Sequence, residues 1–139
     1  MIKQLMRFSG IQVAVAGVIR KNGRILITKR SRWIVDGNKW CLPGGHVEKG
    51  ETAQEAVKRE IKEEIGFDVK RAKLLFVHEE FVKRLNLHAI VFVFLLDVSG
   101  VKRNNWEVNG LKWIGREEIN KFDFAFTHKD ILEKFWRMK

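Results

Sequence analysis

The stretch from Gly44 to Phe67, GGHVEKGETAQEAVKREIKEEIGF, restricts this chain more than any other. Two glycines open it, and their freedom at positive φ admits a close backbone approach. Thr52-Ala53-Gln54-Glu55 reads as a capping box, in which a hydroxyl and a carboxylate each take a backbone N–H that a helix start leaves free. Gly66 suits the left-handed position just past a helix end. A helix is therefore predicted from about Thr52 to about Ile65. Val57, Ile61 and Ile65 form its core stripe. Glu60, Glu63 and Glu64 share an arc of about 100° on one side, and Ala53 and Ala56 project into the same arc one or two turns earlier. Lys58 and Lys62 point away, so the nearest lysines do not neutralise the arc. Like charges at i,i+4 cost roughly 0.2–0.5 kcal/mol per pair in water. A bound divalent cation removes that cost, and hard ions such as Mg²⁺ prefer carboxylate oxygens. A solvated acidic patch on a surface helix is the alternative.

The flanking residues decide between the two. Gly45 is followed after five residues by Glu51, then after seven by Arg59-Glu60-Ile61, then by Glu63-Glu64 and Gly66-Phe67. This spacing resembles the signature of the Nudix hydrolases, GX5EX7REUXEEXGU with U a bulky apolar residue. Every fixed position is filled, although the last U is Phe67 where an aliphatic residue is commoner. The resemblance implies an α/β fold, a Nudix-type α/β/α sandwich around a mixed sheet. It also implies hydrolysis of a diphosphate linked to another group, usually a nucleoside. Glu60 and Glu64 are the implied first metal ligands, and Glu63 is a further ligand or binds through water. The Gly44 carbonyl is the implied backbone ligand. Glu51 and Arg59 are implied to pair and to brace the loop against the helix, whereas an i,i+4 pair of Arg59 with Glu55 is the local alternative. Mg²⁺ is the expected cofactor, with Mn²⁺ as substitute. Glu63, Glu64 and one carboxylate from outside the signature are the expected catalytic set. Glu107, six residues before Trp113, is the choice for that last carboxylate. Glu79 and Glu80 compete with it, and for them a solvated charge at a strand start is the simpler explanation.

The remaining chain is read from its periodicity. Ile11 to Ile19 is apolar nearly throughout and reads as a buried strand. Asn22-Gly23 signals a hairpin turn, and Arg24 to Thr28 returns as its partner. Lys29 to Asn38 reads as a loop. His46-Val47 is a short strand candidate. Phe67 to Val77 and Glu80 to Lys83 are predicted as two strands, with a turn at Arg84 to Asn86. His88 to Asp97 has the strongest β character in the chain and is expected at the sheet centre. Ser99 to Asn105 reads as a polar loop, Leu111 to Ile114 as a strand and Arg116 to Lys121 as a short helix. Thr127 is placed to cap a last helix, His128 to Met138, with Ile131, Phe135 and Met138 facing inward.

Residues 1–139 are expected to form one domain. With a single cysteine, Cys41, an intramolecular disulfide is excluded and a reducing cytoplasm is the expected compartment. Cys41 lies between Trp40 and Leu42 and reads as a packed thiol. No run of apolar residues is long enough to span a membrane. The net charge of +10 favours anionic partners, nucleotides first and RNA second. A monomer or a homodimer fits a chain of this size. For substrate contact the candidates are Arg30, Trp40, Phe124 and Phe126, two cationic or aromatic groups before the signature and two aromatic ones before the last helix. ADP-ribose-specific Nudix members usually carry a proline beyond the signature, and dinucleoside polyphosphate members a tyrosine. This chain has neither, with Pro43 its one proline and no tyrosine at all. The expected reaction is therefore cleavage of a nucleoside triphosphate to monophosphate and pyrophosphate. Nucleotide sugars, RNA 5′-ends or a non-catalytic sensing role are the alternatives.

Overall fold

The computed structural model describes residues 10–100 and 108–138. Its strands are β1 (Ile11–Lys21), β2 (Arg24–Arg30), β3 (Trp40–Cys41), β4 (Gly44–His46), β5 (Asp68–Val82), β6 (Leu87–Ser99) and β7 (Val108–Ile114). Two α-helices, α1 (Ala53–Ile65) and α2 (His128–Arg137), accompany them, with 3₁₀ turns at Lys83–Leu85 and Arg116–Lys121. The strand order is β3-β2-β1-β6-β5, with β4 added to β1 and β7 to β2. β1 and β6 run parallel from the Ile11/His88 pair to the Ile19/Leu96 pair. The other pairings are antiparallel, so the sheet is mixed.

Alternation along the central strands divides the core between two layers. Ala16, Val18, Ala89, Val91 and Val93 face one way and pack with Ile131, Leu132, Phe135 and Trp136 of α2. Val15, Ile19, Phe94 and Leu96 face the other way, against Ala56, Val57, Ile61 and Ile65 of α1. Side chains two apart on a strand share a face, so a helix on each face buries both sets. The result is the α/β/α sandwich. Val57, Ile61 and Ile65 are fully buried, each contributing about 1.5–3 kcal/mol of apolar burial. Ala56 is also fully buried and packs in this layer, so it serves the core.

α1 begins and ends where its caps place it. The Thr52 hydroxyl accepts the Glu55 N–H at 3.1 Å, and the Thr52 N–H donates to Glu55 Oε1 at 2.9 Å. Gly66 is left-handed at φ 81° and donates its N–H to the Lys62 carbonyl.

Four other segments differ from the sequence reading. β5 is one strand, Asp68–Val82, bulged between Val69 and Arg71 and between Leu74 and Phe76. The polar His78-Glu79-Glu80 run does not interrupt it, because His78 and Glu80 find partners on a distant segment. β1 is buried from Val15 to Ile19, but Ile11 and Val13 are exposed. Thr127 occupies the N-cap position of α2 yet makes no side-chain cap; its hydroxyl is used by Glu80. Met138 follows the helix and is half exposed, so Ile131, Leu132, Phe135 and Trp136 form the buried face without it. The predicted loop from Ser99 to Asn105 lies mostly outside the described residues.

Candidate active site

β4 and the loop to α1 bring the glycines against the acidic helix. Gly45 pairs with Val15 and Gly44 with Ala16 of β1. A Cβ at Gly44 would collide with the Val15 carbonyl, and one at Gly45 with the Glu60 carboxylate. Only residues without side chains let this strand lie between β1 and α1. The Gly44 N–H donates to Glu64 Oε1 at 3.1 Å, which ties the loop to the helix.

Arg59 organises the carboxylates. Its Nε and Nη2 donate to the two oxygens of Glu51 at 2.6 and 3.0 Å, and Nη2 also reaches the His46 carbonyl at 3.0 Å. Its Nη1 donates to Glu60 Oε2 at 3.0 Å and to Glu63 Oε1 at 3.2 Å. The pair with Glu51 is therefore made, and the Glu55 alternative is not, since Glu55 closes the capping box. The Arg59 hydrogen bonds pull the Glu51 carboxyl down to about 2. Glu51 in turn holds the Arg59 guanidinium above its ordinary value.

One Arg59 nitrogen thus draws Glu60 and Glu63 to a single positive centre. That arrangement, with Glu64 beside it on the same helix, tests the donor set for a divalent ion: oxygen donors from one helix face already converge on a cation. Among the described residues no three carboxylate, histidine or cysteine groups converge tightly enough to form a ready-made ion site. With Arg59 between Glu60 and Glu63, and Glu64 turned to Gly44, each carboxylate has a neighbour within the protein. The chemistry of the set, oxygen donors only, fits a hard ion. Glu107 lies outside the described residues.

These groups line one side of a cleft of about 720 Å³. Arg30 and Phe126 line it too, as do Glu80 and His128. Arg30 donates from Nε to the Val35 carbonyl at 2.9 Å and stands 4.8 Å over the Phe126 ring. Trp40 and Phe124 are placed differently. Trp40 packs edge-on to Phe122 at 5.4 Å, Phe124 is buried, and neither lines the cleft. The reason is a long-range contact: Trp40 forms a backbone bridge to Phe124, and both rings pack in the core with α2. Cys41 is buried, and burial raises its thiol pKa, consistent with a packed thiol.

Glu79 and Glu80 separate. Glu79 is a solvated charge near His88. Glu80 is 4% exposed, and its Oε2 accepts both the N–H and the hydroxyl of Thr127, at 3.0 and 2.7 Å. The same hydroxyl bonds His78 Nε2 at 2.9 Å. His128, beside them, accepts the Leu42 N–H at Nδ1 at 2.9 Å. Sequence reasoning missed the burial of Glu80 and of His128. The signal available was Glu80 in register between inward-facing His78 and Val82, two residues away on either side.

Burial lowers His128 to about 4; Glu80 and Asp36 oppose that shift, and Arg30 and His78 reinforce it. The unfolded chain, with an ordinary value of 6.5, binds more protons between these two limits, so stability rises with pH through that window. The melting temperature is therefore expected to fall as pH drops from about 6.5 towards 4. In His128→Asn, whose amide oxygen can take over the Nδ1 acceptor role, that slope should flatten. Calorimetric melts across the window check this, and an unchanged slope would remove His128 as its source.

With this geometry established, comparison with known proteins is decisive. The NUDIX domain family matches residues 9–135. The chain is a Nudix hydrolase. An ADP-ribose pyrophosphatase of Methanocaldococcus jannaschii is 38% identical over 128 residues, 91% of this chain and 74% of that one. An 8-oxo-dGTP diphosphatase of Escherichia coli is 30% identical over 131 residues, covering 92% and 98%. The crystal structure of a MutT Nudix hydrolase from Burkholderia pseudomallei superposes with a TM-score of 0.78 at 30% identity, covering 90% of this chain and 98% of that one. Among the described residues no helix of this Nudix protein is long and apolar enough to cross a membrane.

Proposed function

We propose that this Nudix hydrolase cleaves a nucleoside triphosphate, unmodified or oxidised on the base, to a nucleoside monophosphate and pyrophosphate. The observation that carries the reading is the row of Glu60, Glu63 and Glu64 at the side of the cleft, the first two drawn together by Arg59 and the third tied to Gly44. The 30% identity to an 8-oxo-dGTP diphosphatase over nearly its whole length supports the same substrate class.

Water adds to a phosphoryl phosphorus, the bridging P–O bond breaks, and the attacking water loses a proton. When bound, a divalent ion, here Mg²⁺, neutralises polyphosphate charge, polarises the phosphoryl oxygens and lowers the pKa of bound water. Glu60, Glu63, Glu64 and the Gly44 carbonyl are the residues that would hold it. Arg59 and Glu51 keep those carboxylates and the glycine strand in register. Arg30 and Lys49, both lining the cleft, are cations placed to meet phosphate oxygens. Glu107 is the group proposed to take the proton of the attacking water. Glu107→Gln is expected to reduce kcat by about a hundredfold or more; a loss below about tenfold would move that role to another residue.

A second reading is cleavage of ADP-ribose, favoured by the name of the Methanocaldococcus jannaschii relative. The absence of any proline after Pro43 speaks against it. Incubation with nucleoside triphosphates, oxidised dGTP, ADP-ribose and nucleotide sugars, with and without Mg²⁺, ranks the two by product. Pyrophosphate with a monophosphate supports the first. AMP with ribose 5-phosphate from ADP-ribose, at higher kcat/KM than any triphosphate, would replace it. The single buried thiol suits a reducing cytoplasm as the working compartment.

A further inference from the structure

The inner part of the cleft holds polar groups that the hydrolytic step does not use. Glu80 is buried on β5, and both of its protein hydrogen bonds arrive at the same oxygen, Oε2. Among the described residues none reaches Oε1, and Oε1 is not a sealed, unsatisfied atom. Glu80 lines the cleft, so its second oxygen opens there as an acceptor. His128 completes the pattern. Its Nδ1 accepts from Leu42, and burial keeps the ring neutral, so the proton sits on Nε2. Among the described residues none bonds Nε2 either, and His128 lines the same cleft. An acceptor and a donor are thus fixed on rigid elements.

The place of Glu80 on β5 separates it from the phosphate end, and His128 stands between, bonded to Leu42. The register runs from His78 to Val91 to Ala14 to His46, from β5 to β4. Three strand spacings, roughly 14 Å, therefore lie between β5 and the glycine strand. That is the span of an extended nucleotide from its phosphates to its base edge. Glu80 is too remote to share an ion with the α1 carboxylates. Between the two ends the floor is small: Glu80 stands beside Ala89, and Ala14 beside Val91. A planar ring can lie over such a floor.

We propose that Glu80 reads the base of the substrate and selects one that presents adjacent N–H donors, as guanine does at N1 and N2. The proposal rests on the nucleotide reading above. Guanine offers its two donors to the carboxylate and its O6 to the His128 N–H. Adenine and cytosine offer one amino donor beside a ring nitrogen whose lone pair faces the carboxylate. Uracil and thymine offer an N–H flanked by two carbonyl oxygens, which the carboxylate repels. Oxidation of guanine at C8 leaves N1 and N2 unchanged, so Glu80 accepts both forms. Thr127 is the positioning residue, since its two donations fix which carboxylate oxygen faces the cleft.

The test is Glu80→Gln with GTP, ATP, CTP and UTP. The glutamine carbonyl can keep both Thr127 donations, which turns the NH₂ into the cleft and reverses its polarity. The kcat/KM for GTP is expected to fall at least about tenfold, through KM, while that for UTP does not fall. The GTP/UTP ratio is the readout that a merely structural role would not move. An equal loss for all four nucleotides, or an unchanged ratio, overturns the proposal. Should the variant melt early, Glu80→Asp, which withdraws the carboxylate but keeps its charge, is expected to show the same selective loss, and a uniform loss overturns it. If the wild type cleaves none of the four, the triphosphate reading fails by itself. Equilibrium binding of the same nucleotides then decides: a GTP preference that Glu80→Gln abolishes supports the assignment, and equal affinities sink it.

Discussion

Glu64→Gln is expected to lower turnover at least about a thousandfold while leaving the fold intact. The two halves of that statement come from different atoms. Glu64 Oε1 accepts the Gly44 N–H at 3.1 Å, and a glutamine carbonyl accepts the same bond. The glycine strand therefore stays attached to α1, and the melting temperature should move by only a few degrees. The charge is what the substitution removes. A pyrophosphate group and the hydroxide that attacks it repel one another, and the ion that relieves this repulsion needs anionic ligands. Pyrophosphate release under saturating Mg²⁺, alongside a thermal melt, separates the effects. Glu55→Gln is the control, since Glu55 faces the helix start and closes its cap. A loss below about tenfold in Glu64→Gln, with an intact melt, would remove Glu64 from the ion's ligands and leave Glu60 and Glu63 to hold it.

What the sequence disclosed depended on how local the deciding contacts are. The α1 boundaries were legible because Thr52, Glu55 and Gly66 act within one turn of the residues that they cap. The two-layer core was legible because Val57, Ile61 and Ile65 repeat at the helical period and the strands alternate. The continuity of β5 was not. The polar His78-Glu79 pair reads as a break before Glu80, and the partner that makes polar residues acceptable here, Thr127, lies 47 residues from Glu80. The same contact explains why Thr127 fails to cap α2: its hydroxyl is already committed. The carboxylate row was legible from spacing, but the reach of Arg59 to Glu60 and Glu63 was not. Lys58 and Lys62 do point away, whereas Arg59 lies about 40° from Glu63 around the helix and is long enough to reach across. Trp40 and Phe124 were assigned by proximity to the signature and to α2. Their mutual backbone bridge, a tertiary feature, turns them into the core.

Arg59→Ala should then be the most damaging single change to the site that leaves every glutamate in place. Arg59 makes five hydrogen bonds, to Glu51 twice and to Glu60, Glu63 and the His46 carbonyl once each. Its loss leaves Glu51 without a cation and sets Glu60 and Glu63 against each other. Solvent reaches part of this cluster, so the effect is smaller than for a fully buried pair, and a melting temperature lowered by about 5 °C or more is expected. Turnover should drop with it, because the 46–51 loop that carries the glycine strand into α1 loses its brace. Arg59→Lys should rescue little of either, since one ammonium group lacks the planar fork that meets both Glu51 oxygens while reaching Glu60. Acid titration supplies an independent mark. Arg59 holds Glu51 at about 2, well below its ordinary 4.5. The unfolded chain therefore binds more protons between these values, and the pair's contribution is present above about 4.5 and lost as pH falls towards 2. In Arg59→Ala the Glu51 value should return towards 4.5 and the stability slope in that window should weaken. A variant that melts early yet keeps the wild-type acid slope would show that Arg59 supports the fold through some contact other than Glu51.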